Sequence, residues 1–157
     1  MKNILIKSSG DVSDNKKFYD FAVYQAKRNY TVVICGGGSK INNALEKEGY
    51  KIKFDKHGRI MKTWEERKIA REILEQEEKR LQDKFVGTGV NVIPPLLNAY
   101  SVLCPINADN LVKSFYLGFD EIYVFTTKER IKNKEKIFKD YPKVKIIGLK
   151  KSLEYRL

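Results

Sequence analysis

Short β-branched runs alternate with stretches of helical spacing along the whole chain, the pattern of repeated strand–helix–strand units. Ile4 to Lys7 reads as a first strand, ended by Ser8, Ser9 and Gly10. Phe18, Phe21, Ala22 and Gln25 then follow helical spacing up to Asn29, with Ser13 as the expected cap. Thr31 to Cys35 is a second strand, apolar after its first residue, as expected where both faces of a sheet are covered. Gly36, Gly37 and Gly38 follow at once, then a helix from about Ser39 to Lys47 closed by Gly49.

After a surface excursion containing Phe54, Gly58 and Arg59, Thr63 and Glu66 form a capping box for a long helix to about Phe85. Ile69, Ile73, Leu74 and Leu81 are its expected buried stripe. Val90 to Ile93 is a third strand stopped by Pro94 and Pro95, and Ser101 to Cys104 a fourth. A helix from roughly Ala108 to Leu117, a fifth strand Glu121 to Phe125, a lysine-rich helix to about Phe138 and a sixth strand Val144 to Ile147 complete the pattern. The expected fold is a single α/β domain over 1–157, a three-layer sandwich with a mostly parallel sheet and helices on both faces. Ligands of such sheets bind beyond the carboxyl ends of the strands. That rule gathers Lys7 to Gly10, Gly36 to Gly38, Asn107 to Asp109, and Thr126 with Thr127 at one edge.

Composition narrows the class. Hydrophobic residues make up 42% and charged residues 32% of 157, and no apolar run approaches the roughly 20 residues that span a bilayer. The expectation is a cytoplasmic protein without a membrane partner, its two cysteines, Cys35 and Cys104, reduced in the core. Net charge is +11, and a surplus of seven lies from Lys128 onward, where eleven basic residues face four acidic ones. Such a stretch attracts anions or serves as a solvated surface. It lacks the arginine and aromatic interleaving that stacks bases, so nucleic acid is not the expected partner.

The three glycines between a buried strand and a helix carry the most local information. They permit a tight turn and close backbone approach to a ligand, and free N–H groups at a helix start favour phosphate or carboxylate. Neither the dinucleotide spacing nor a Walker A sequence is present. Lys7, in an otherwise apolar strand, needs either solvent or a negative partner, such as a transferring phosphoryl group. Asp109 can orient Lys7, or can serve the helix dipole behind an Asn107 cap. Arg59 is a candidate carboxylate clamp or a surface arginine. His57 is the only histidine, in a loop, and neither it nor the two cysteines make a metal site.

Together these segments resemble the amino-acid kinase family, which includes acetylglutamate, carbamate and uridylate kinases. Ile4-Leu5-Ile6-Lys7-Ser8-Ser9-Gly10-Asp11 resembles its first-strand motif, closest to the Lys-x-Ser-Gly-acidic form of uridylate kinases. Val32 to Asn42, around Gly36-Gly37-Gly38, is similar to the triple-glycine segment of acetylglutamate kinases, where a Phe, a Gly-Arg and an acidic helix also follow. Ile106-Asn107-Ala108-Asp109 resembles the family's Asn-Ala-Asp element. Gly118 to Thr127 resembles the strand leading into its nucleotide half. The resemblance implies an ATP-dependent kinase using Mg²⁺ and phosphorylating a small anionic carboxylate, carbamate or phosphate acceptor. Lys7 would stabilise the transferring group and Asp109 would organise the catalytic lysines. Ser9, Gly10, Gly36, Gly37, Gly38, Arg59 and Asn107 would bind substrate and phosphate, and Thr126, Thr127 and Lys128 the nucleotide. A homo-oligomer is implied as well.

Two departures accompany the likeness. After Thr126-Thr127 the family has Asp-x-x-Gly-Val, whereas this chain reads Lys128-Glu129-Arg130-Ile131; where acetylglutamate kinases hold substrate with an Asn, it has Pro105. The expected layout is an acceptor part to about residue 118 and a shortened nucleotide part over 119–157, in which Lys128, Arg130, Lys132 or Lys134 would replace the family's second lysine. The alternative expectation is a non-catalytic member that binds an anion or nucleotide as a regulatory or partner protein.

Overall fold

The computed structural model describes residues 1–55, 58–99 and 102–151. Five strands form one parallel sheet: β1 (Asn3–Ser8), β2 (Tyr30–Cys35), β5 (Val90–Ile93), β8 (Glu121–Thr127) and β9 (Val144–Leu149), in the order β5-β2-β1-β8-β9. The register sets Lys7 beside Ile34 on one side and Val124 on the other. From β1 the chain works outward through β2 to β5, then returns to β8 and β9 on the far side of β1. Direction reverses between β1 and β8, and at such a reversal the crossovers lie on opposite faces and leave a crevice at the carboxyl ends.

The two faces have separate cores. On one, Ile4, Ile6, Val33, Cys35 and Phe125 pack on α1 (Lys16–Ala26) through Phe18 and Ala22, and on α3 (Trp64–Lys84) through Leu81. On the other, Leu5, Val32, Ile34, Ile122 and Val124 pack on α4 (Ala108–Ser114) through Val112 and on Phe138 at the end of α5 (Ile131–Ile137). This is the expected layering, with helices on both faces. Phe18 is fully buried, its ring edge-on to Phe85 and Phe125 at 6.1 and 5.5 Å. Burying one such side chain stabilises by about 1.5–3 kcal/mol. A third cluster, Ile41 and Leu45 of α2 (Gly38–Lys47) against Ala70 and Leu74 of α3, fixes the helix that follows the glycines.

Several local expectations are corrected. Cys104 does not belong to a strand of the main sheet: β7 (Val102–Pro105) pairs antiparallel with β6 (Leu96–Ala99) in a separate hairpin. A parallel neighbour of β5 would need a crossover of a dozen or more residues, and too few separate Ile93 from Val102. Another short ladder, β3 (Phe54–Asp55) with β4 (Gly58–Arg59), occupies the surface excursion. Asn15, not Ser13, caps α1, because the Ser13 hydroxyl donates to the Gly10 carbonyl and accepts from Arg80. The capping box at Thr63 and Glu66 forms as expected. The fully buried stripe of α3 is Glu66, Ala70, Leu74, Glu77 and Leu81, while Ile69 and Ile73 are partly buried. Glu77 is tolerated there because Lys40, at 2.5 Å, and Arg80, at 2.9 Å, neutralise it. The helix expected to reach Leu117 ends at Ser114 and passes into a single 3₁₀ turn. No helix among the described residues is long and apolar enough to cross a membrane.

Candidate active site

Lys7 lies on the same sheet face as Leu5, yet only 4% of it is exposed. An ammonium so placed needs a counter-charge, and α4 brings one. Asn107 starts that helix by accepting the Asp109 N–H at its Oδ1, 2.8 Å away, so Asp109 sits in the first turn facing the strand. Lys7 Nζ stands 3.2 Å from Asp109 Oδ1. Lys134 of α5 donates to the other carboxylate oxygen, Asp109 Oδ2. Three buried charged residues thus share one point at the carboxyl end of the sheet: two cations around one carboxylate.

Their titration follows from this geometry. Burial pushes the Asp109 carboxyl up, but Lys7 and Lys134 outweigh it and hold the group below its ordinary value. For Lys134, burial and then the neighbouring charge of Lys7 lower the ammonium pKa, with Arg130 adding to the effect, against the opposing pull of Asp109. The cluster carries a positive surplus that its single carboxylate leaves unneutralised.

The surplus faces a cavity of about 320 Å³, a size that suits a small molecule. Its wall includes Lys7, Ser9, Gly10, Gly36, Gly37, Gly38, Arg59, Asn107 and Asp109. Nine of the twelve residues singled out from sequence therefore converge on one space. The turn before α2 makes close approach possible: a Cβ at Gly10 would stand 2.6 Å from the Gly36 carbonyl oxygen. Gly37 is the N-cap and has no side chain to satisfy the first-turn N–H groups of α2, so these are open to an anion. Ser9 is 5% exposed and its hydroxyl has no hydrogen-bond partner among the described residues. A buried unpartnered hydroxyl on a cavity wall marks a place where a ligand atom completes the bonding.

Arg59 enters from β4. Its Nε and Nη2 donate to Asn42 Oδ1 at 3.1 and 2.7 Å, Nη2 donates to the Gly38 carbonyl at 3.1 Å, and the guanidinium lies over the Phe54 ring. Burial lowers its pKa, and no carboxylate among the described residues forms an ion pair with it. Gly58, at φ +122, keeps this ladder close: a Cβ there would stand 2.6 Å from Asn107 Nδ2.

Thr126, Thr127 and Lys128 do not line the cavity among the described residues. Both threonines are buried, Thr126 with an unpartnered hydroxyl, and Lys128 is exposed. His57 lies outside the described residues. Cys35 is buried and free, its thiol pushed up to about 12 by burial. Part of the basic C-terminal run is structurally engaged: Lys143 donates to the Tyr116 and Phe119 carbonyls and Lys145 pairs with Glu121.

Sequence reasoning passed over Asn42, Asn133 and the apolar wall of Ile41, Met61 and Leu74, and named Lys134 only as one of four basic residues. A usable signal existed: Arg130, Asn133 and Lys134 recur at i, i+3 and i+4, one helical face.

No known family pattern matches the chain, and no curated protein matches it in sequence. Among solved structures it is similar to smu.665 from Streptococcus mutans UA159, at 16% identity and a TM-score of 0.57, over 79% of this chain and 72% of that one. At that identity the likeness speaks for the fold.

Proposed function

We propose that the chain is an ATP-dependent small-molecule kinase of the amino-acid kinase type, transferring a phosphoryl group to a carboxylate, carbamate or phosphate acceptor. The observation that carries this reading is the buried Lys7–Asp109–Lys134 cluster opening on the uncapped glycine turn. Phosphoryl transfer asks little covalent chemistry of a protein and much positioning and charge neutralisation. Lys7 and Lys134 supply fixed positive charge for the transferring group, and Asp109 holds both ammonium groups apart and in place. Ser9 and the first-turn N–H groups of α2 donate to phosphoryl oxygens. Arg59, braced by Asn42, has donors without a partner among the described residues and charge for an acceptor carboxylate. When bound, ATP would supply the phosphoryl group and Mg²⁺ would neutralise its phosphate oxygens.

The position of Thr126, Thr127 and Lys128 off the cavity favours a second reading, a non-catalytic anion-binding or nucleotide-binding protein. Thermal stabilisation separates the two. Mg²⁺-ATP, ADP, UMP, acetylglutamate, carbamoyl phosphate and phosphate are added singly; a ligand at a hundredfold excess over its Kd stabilises by about 2.7 kcal/mol. The kinase reading expects a shift with Mg²⁺-ATP and with at least one acceptor. A shift with phosphate or an acceptor alone supports the second reading, and no shift at all sinks both.

A further inference from the structure

The anion-site reading uses the strand and glycine sides of the cavity and only Lys134 of its third side. That side is the beginning of α5, where Arg130, Asn133 and Lys134 all reach the wall. Arg130 is half exposed and has one side-chain partner among the described residues, Asp11, whose carboxylate its Nη1 meets at 2.9 Å. Asp11 is itself buried and also accepts from the Ser39 hydroxyl at 2.6 Å. Among the described residues one donor of the guanidinium is therefore engaged, out of five in a planar fork suited to oxyanions. Asn133 is exposed on the cavity wall and has no side-chain hydrogen bond among the described residues.

The charge balance points the same way. The wall carries Lys7, Arg59, Arg130 and Lys134 against Asp109 alone, and Asp11 behind Arg130 adds one more negative charge. A surplus of this size matches a ligand with at least two negative charges near α5. Burial first, and then the positive charges of Lys7 and Arg130, keep the Lys134 ammonium below its ordinary pKa.

Resting on the anion-site reading of this cavity, we propose that Arg130 and Asn133 are ligand-binding residues. They form an oxyanion clamp that holds a phosphate or diphosphate group against Lys134, with Asp11 as the counter-ion that positions the Arg130 guanidinium when the site is empty. In this arrangement the ligand's phosphate chain runs along the α5 face, not toward Thr126 and Thr127.

Titration calorimetry of the full chain with inorganic phosphate and with pyrophosphate tests it. Arg130→Gln and Asn133→Ala are each expected to weaken pyrophosphate binding, the arginine variant by about tenfold or more. Lys132→Gln, an exposed charge on the same helix but off the cavity wall, is the control for general electrostatics and is expected to bind nearly as the parent. Asp11→Asn, which frees Arg130 without removing it, is expected to keep or tighten binding. Undiminished binding by Arg130→Gln and Asn133→Ala overturns the proposal. So does an equal loss in Lys132→Gln, or a loss in Arg130→Gln matched by Asp11→Asn with Asn133→Ala unaffected, since Arg130 would then only brace Asp11. If the parent binds neither probe, the anion-site reading itself fails and the clamp with it.

Discussion

Lys7 and Lys134 engage different oxygens of the same carboxylate, Lys7 at 3.2 Å from Asp109 Oδ1 and Lys134 donating to Oδ2. One acid between two buried cations explains why a lysine is tolerated inside an apolar strand, and it leaves a net charge that solvent does not screen.

Removing the acid exposes that imbalance. Asp109→Asn leaves two buried ammonium groups side by side and is expected to cost about 3–5 kcal/mol of stability. Because an anion in the cavity can replace the missing charge, the variant's melting temperature is expected to rise with added phosphate more than the parent's. Chemical or thermal unfolding in phosphate against chloride checks this; a loss that phosphate does not relieve would place the anion elsewhere.

The pH dependence of anion binding follows from Lys134. Its folded pKa is lowered below the ordinary 10.5, so the ammonium is lost at a lower pH than a free lysine's. Anion binding should therefore weaken as pH rises toward that value, while Lys134→Arg, which stays charged, should lose this alkaline limb. A parent and an arginine variant with superimposable binding profiles would remove Lys134 from the site.

The glycine turn offers a steric test. A Cβ at Gly36 would meet nothing nearer than Ala108 Cβ at 3.6 Å, and Lys7 Cε lies 4.0 Å away. Gly36→Ala should thus fold normally and crowd the ligand beside Lys7, lowering phosphate affinity. Gly10→Ala meets backbone at 2.6 Å and should destabilise the fold outright. Melting temperatures and phosphate titrations of the two variants check this; a normal melting temperature for Gly10→Ala would mean the two loops are not in contact.

Cys35 is expected to be inert in the native protein, since burial raises its thiol to about 12. In a Cys104→Ser background, labelling by a thiol reagent at pH 8 should follow unfolding. Rapid labelling of folded protein would contradict the packing of β2.

Much of this was legible in the sequence, for physical reasons that differ by element. Buried parallel strands announce themselves as apolar β-branched runs, and Ile4 to Lys7, Thr31 to Cys35 and Glu121 to Phe125 were readable so. The capping box at Thr63 is a local hydrogen-bond pattern and was equally plain. Val102 to Cys104 looked the same as a sheet strand, because composition carries no record of which partner a run finds; only the short connection distinguished it. Asn107 to Asp109 was expected at the carboxyl edge as the end of a sheet strand; the strand before it lies outside the main sheet, and it is the packing of α4 on the sheet that brings Asp109 to Lys7. The identity of the second lysine was harder to read, because Lys134 stands in a run of lysines; its spacing from Arg130 and Asn133 marks one helical face, and burial against Asp109 sets it apart.

Formation of ADP from Mg²⁺-ATP in the presence of each candidate acceptor, by the parent and by Lys7→Met, tests the kinase reading most directly. The expected result is acceptor-dependent ADP formation with one carboxylate, carbamate or phosphate compound, reduced at least about a hundredfold in Lys7→Met. ADP formation that no acceptor stimulates, or a Lys7→Met variant as active as the parent, would contradict it.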